Sequence, residues 1–246
     1  MFKKILFLLV VASTFVSCQF TETLTINEDG SGRMAMNIDM KEMMAMGQSM
    51  DMDSTFVKMD STVAFKKLLE EKKDSIAKLP TADQEKLKKL EDYKIRTVMD
   101  PETSELFVTV FVDFKNINEA NNLMNGLNQA AAIMPESPGG GTDVKSNPSS
   151  DVLGVRYDYT GNSFTRDAYI KDEKAYQKQK DSLQEAEMFM SSMNYTLKYT
   201  FPKKIKSSSV EDANYSLDGK TIIIERRFLD YFKNPDILDL QIELEN

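Results

Sequence analysis

The chain has 246 residues, 41% of them hydrophobic and 28% charged, a balance that suits one compact domain or two small ones. It has no His, no Trp and a single Cys. These absences exclude a Ser-His-Asp triad, a Cys-His pair, a zinc site of His or several Cys ligands, and an internal disulfide.

Chain order begins with Lys3 and Lys4, followed over residues 5–16 by twelve residues without a charge. A helix needs about 20 residues to cross a bilayer core, so this run is too short to span and suits the hydrophobic part of a secretory signal. It ends in Phe15-Val16-Ser17-Cys18. That ending resembles the lipobox of bacterial lipoproteins, with a small residue directly before the cysteine. Phe15 stands where Leu is usual. The resemblance implies cleavage after residue 17, acylation of Cys18 (palmitate among the acyl groups) and a mature chain of residues 18–246. Each buried acyl methylene contributes about 0.8 kcal/mol, so two or three chains hold a protein on a membrane without spanning it. Gln19, Phe20 and Thr21 include no Asp after the cysteine and no acidic run of the kind some lipoproteins use for surface export. The expected address is the cell envelope, at the periplasmic face of the outer membrane.

Without its first seventeen residues the chain keeps 29 Lys and Arg against 39 Asp and Glu, a net charge of −10. Such a surface is a poor partner for nucleic acid and for anionic headgroups. The partners expected are the membrane, through the lipid, and another envelope protein.

Residues 20–27 alternate as a strand, with Phe20, Glu22, Leu24 and Ile26 on one side. Glu28 to Gly32 supply a hairpin turn, and Met34, Met36, Ile38 and Met40 follow on alternate positions as a second strand. A short helix is predicted over 41–47. From Ser61 the spacing of Phe65, Leu68, Leu69, Ile76 and Leu79 predicts a helix ended by Pro80. Thr81 with Gln84 has the form of a capping box opening another helix. Residues 93–99 and 106–114 predict strands, the second apolar on both faces and therefore central. Asn116 with Glu119 caps a predicted helix over 117–134, and three prolines with three glycines make 135–150 a loop. Hairpins are predicted over 152–170 through Gly161-Asn162 and over 215–228 through Asp218-Gly219. A polar helix over 172–192, a strand over 194–201, a helical turn near 229–233 and a last strand over 237–245 complete the chain. A hairpin followed by a helix recurs four times without a shared motif. The expected fold is α+β, a largely antiparallel sheet free to curve, built from hairpins, with amphipathic helices packed on one face. One continuous domain over 18–246 is expected, since the second half alone is small and polar.

Nine of the 16 methionines fall between Met34 and Met59. Met34, Met36, Met40, Met43, Met44, Met46, Met50 and Met52 form close spacings that resemble those of Met-rich copper- and silver-handling proteins, since thioethers select Cu(I) and Ag(I). Strand spacing favours a second reading, Met as a pliable core filler, and a third is an adaptable docking face. Paired carboxylates, as in glycoside hydrolysis, are the catalytic option left open, but 39 acids offer no pair by sequence. Asp51, Asp53 and Asp60 lack the Gly and terminal Glu of an EF-hand. Asp29-Gly30-Ser31-Gly32 lacks the pattern and setting of a phosphate cradle. The expectation is therefore a lipid-anchored, non-catalytic binding or accessory module without a cofactor. The alternatives are a Met-based metal binder and a carrier of lipid or another apolar ligand.

Overall fold

The structure, a computed structural model, describes residues 19–41, 44, 57–122 and 152–246. Cys18, Met43, Met46, Met50 and Met52, most of the 41–47 segment and the whole 135–150 segment lie outside them.

The alternation over residues 20–27 folds as predicted. β1 (Gln19–Ile26) and β2 (Gly32–Asp39) pair antiparallel through a turn in which Gly30 takes φ +81°, a conformation that costs glycine little. β3 (Met59–Ala64) occupies residues expected to start a helix. Its β-branched Thr62 and Val63 favour extended backbone, and its register with β4 (Lys94–Asp100), from Met59 opposite Met99 to Ala64 opposite Lys94, supplies the ladder. The helix begins only at Phe65, as α1 (Phe65–Glu71), continued by α2 (Lys73–Ile76) and α3 (Thr81–Lys88). The expected capping box at Thr81 does not form, because Pro80 is the residue at the cap and Thr81 is already helical. Gln84 instead donates Nε2 to the carbonyl of Leu79 at 2.8 Å.

β5 (Glu105–Phe114) lies between β2 and β4, as its apolar faces predict. A 3-10 turn over Ile117–Asn122 follows, the described part of the predicted 117–134 helix. Asn116 Oδ1 accepts from the Asn118 amide and Glu119 from the Lys115 amide, both at 3.0 Å. β6 (Leu153–Thr160) and β7 (Ser163–Ile170) form the expected hairpin. In α4 (Glu173–Met190), Asp172 caps the first turn by accepting from the Ala175 amide. Then come β8 (Asn194–Thr200), β9 (Ile205–Ser208, not foreseen), β10 (Asn214–Tyr215), β11 (Thr221–Arg227), α5 (Phe228–Lys233) and β12 (Leu240–Leu244). Two boundaries differ from expectation. Residues 216–218 are turn, and Pro235–Leu238 is a 3-10 turn because proline at its start sets φ without a donor.

The fold is α+β, its strands divided between two mostly antiparallel sheets. The larger runs β10-β11-β8-β1-β2-β5-β4-β3 and the smaller β6-β7-β12-β9. The β1–β8 pair is parallel. Residues of both sheets and of the α1–α3 hairpin share one core, including Leu24, Met36, Phe65, Leu90, Val110 and Phe164. Among the described residues no helix is long and apolar enough to cross a membrane.

Candidate functional site

The inner face of the large sheet is built in rows that cross its strands. One row reads Ile222, Tyr199, Leu24, Met34 and Val112. The next reads Ile224, Leu197, Glu22, Met36, Val110 and Ile95. Glu22 thus interrupts an otherwise apolar row, and its side chain is 0% exposed. An isolated carboxylate there would be expelled or protonated, so its partners decide its state.

Tyr195 and Tyr199 flank Leu197 on β8, the strand beside β1, so both hydroxyls reach Glu22. Tyr195 donates to Oε2 at 2.5 Å and Tyr199 donates to Oε1. The other two partners come from the smaller sheet, where Tyr157 on β6 stands directly opposite Arg166 on β7. Tyr157 donates to Oε1 at 2.5 Å. Arg166 approaches Oε2 through Nη2 at 3.3 Å, and its own side chain is also 0% exposed. The rest of the guanidinium is satisfied by the Tyr199 oxygen at 3.1 Å and the Leu238 carbonyl at 3.0 Å. Its central carbon lies 5.7 Å from the Tyr231 ring centroid, and that ring packs 4.9 Å from the ring of Tyr195. Phe164 closes the neighbouring layer against Tyr199 and Phe201.

Burial alone would raise the Glu22 pKa, but the Arg166 charge and the three phenol donors outweigh it and hold the carboxyl below its ordinary value. Burial likewise works against the charge on Arg166, and Glu22 reverses that, raising the guanidinium well above its usual range. Tyr157, Tyr195 and Tyr199 are pushed well above 10.0 by burial first and by the Glu22 carboxylate second. The cluster is therefore an ion pair fully clothed in hydrogen bonds. It binds one sheet to the other and exposes neither charge to solvent.

The methionines divide. Met34 and Met36 are core residues at 0% and 1% exposure, Met34 between Leu24 and Val112 and Met36 between Glu22 and Val110. Met44 is buried and Met40 half-buried. Elsewhere, a cleft of about 360 Å³ opens in the helical hairpin beside Leu69, Ile76 and Leu87, and another of about 580 Å³ opens at the strand turns beside Glu28, Tyr159 and Lys203. Asp60, one of the acids considered for calcium, is paired with Arg96 at 2.7 Å. Among the described residues, no three or more His, Cys, Asp or Glu side chains gather where they could hold a metal ion.

Sequence reasoning noted Glu22 beside Phe20, Leu24 and Ile26 without drawing the consequence. The signal was present: an acid on the apolar side of a strand that needs a buried partner. Arg166 between Phe164 and Ala168, and Tyr195 and Tyr199 at a spacing of four, carry the matching signal.

No family model matches the chain, and no curated protein does. Among solved structures it is similar to the folded domain of Mycobacterium tuberculosis LppM, determined by NMR, at 9% identity and a TM-score of 0.41, covering 94% of this chain and 91% of that one.

Proposed function

We propose that the protein is a lipoprotein of the cell envelope, acylated on Cys18, held at the periplasmic face of the outer membrane, and acting there as a non-catalytic binding or accessory module. The observation that carries this reading is the N-terminal pattern itself: two lysines, twelve uncharged residues too few to span a bilayer, and Ser17-Cys18. The cysteine is the only one in the chain, so its place at the end of that run is a specific feature. The interior supports the non-catalytic part. Among the described residues, Glu22 and Arg166 are spent on each other at 0% exposure, where no substrate reaches them. The core burial of Met34 and Met36 favours their role as packing residues over that of metal ligands.

The test is fractionation of cells producing the full-length chain or its Cys18→Ala variant. The intact protein is expected in the membrane fraction and the variant in the soluble fraction or retained as an uncleaved precursor lacking acyl label. Membrane association and acyl labelling unchanged by the substitution contradict the reading.

A further inference from the structure

β1 begins at Gln19, the residue bonded to Cys18, and from that first residue it is held on both sides: Gln19 pairs with Asp39 of β2 and with Asn194 of β8. Consecutive Cα atoms are about 3.8 Å apart, so an acyl group on Cys18 has no linker between it and a strand in the middle of the large sheet. We infer that the end of this sheet carrying Gln19, Asp39, Asn194 and Arg227 is a membrane-apposed surface, pressed on the lipid headgroups by the anchor, with β1 leading away from the bilayer. The inference rests on the acylation of Cys18.

The chemistry of that end suits headgroup contact. Arg227 pairs with Asp230 at 2.8 Å and Lys41 with Asp39 at 3.7 Å, while Gln19, Asn194, Ser191 and Ser192 are polar and uncharged. Around Gln19 these described residues add little net charge, while the β4–β5 turn further along the same end carries Asp100, Glu102 and Glu105 against Lys58, within a chain whose residues 18–246 total −10. Internal pairing also leaves this end little attraction to lipid, so the short tether, and not intrinsic affinity, enforces the contact. The β1–β2 turn lies at the opposite end, seven strand steps of about 3.3 Å beyond Gln19.

An acylated Cys18 leaves no other thiol in the chain, so one new cysteine can be labelled selectively. Ser192→Cys and Glu28→Cys, both at exposed positions, place a fluorophore at the anchored end and at the turn. The full-length lipidated proteins are reconstituted in phosphatidylcholine vesicles containing a headgroup nitroxide lipid. The result expected is strong loss of fluorescence at 192 and little at 28. A linker of ten Gly and Ser residues inserted after Cys18 spans roughly 17 Å and should relieve the quenching at 192 while vesicle binding persists. Equal quenching at both positions on vesicle-bound protein, or quenching at 192 undiminished by the linker, overturns the inference and leaves acylation standing. Protein that carries no acyl mass and does not bind vesicles overturns both.

Discussion

At the scale of single residues, Glu22 and Arg166 set the terms of the core. Burying two charges removes several kcal/mol of hydration from each, and their attraction repays this only with good geometry and every remaining donor and acceptor satisfied. Three phenols and a backbone carbonyl supply that here. Removing one partner should therefore cost more than removing both. Glu22→Gln or Arg166→Met is expected to lower unfolding free energy by about 3–5 kcal/mol, and the double variant Glu22→Leu/Arg166→Met by clearly less than either alone. Denaturant unfolding measures all of these, and additive losses would contradict the ion-pair account. The pH dependence has a definite sign. The Glu22 carboxyl is held below 4.5, so its contribution is present above that value and fades as pH falls through the lower folded one. Tyr157, Tyr195, Tyr199 and Tyr231 are all held above 10.0, so their contribution is present below pH 10 and lost as pH rises beyond it. Ionisation of these four, followed by tyrosinate absorbance, should come together with the loss of far-ultraviolet circular dichroism. Their ionisation in an intact fold would contradict the burial described. The sequence made each of these residues legible by strand alternation. It did not show that β1, β6, β7 and β8 meet, because pairing between distant segments leaves no local trace.

At the scale of elements, turns were the most legible feature. Gly30, Gly161 and Gly219 take positive φ where the hairpins were expected to turn, since few other residues adopt that backbone without strain. Gly32 has a different duty. It opens β2 opposite Ile26 and Phe114, and a Cβ there would meet the Thr25 carbonyl and the Phe114 ring. Backbone cannot retreat as a flexible side chain can. Gly32→Ala is thus expected to destabilise by about 1–3 kcal/mol, seen as a lower thermal midpoint; an unchanged midpoint would mean that this corner is looser than described. Elements without a strong period were harder to read. β9 is four residues long and mostly polar, and β3 was absorbed into the helical spacing that begins at Phe65. The parallel partnership of β1 with β8 joins the first described strand to one late in the chain, again a product of tertiary packing.

At the scale of the whole molecule, two features of the sequence have found different uses. Met34 and Met36 serve the core, standing in the same rows as Leu24 and Glu22. The lone cysteine is the residue bonded to the start of β1, so the acylation proposed for it would tie that strand to the membrane. Charge has the complementary part. A net −10 over residues 18–246 favours hydration and gives little attraction to an anionic surface, so the membrane residence proposed here would depend on the lipid. The proposed address rests on the first eighteen residues alone, whereas the ion-paired interior became visible only once the sheets were assembled. Intact-mass and peptide mass spectrometry of the full-length protein, purified from membranes in detergent, tests the central claim most directly. The account predicts a chain that starts at Cys18 and carries the added mass of a diacylglycerol thioether, with or without a third acyl chain on its amine. A chain that retains residues 1–17, or that starts elsewhere with Cys18 as an unmodified thiol, would contradict it.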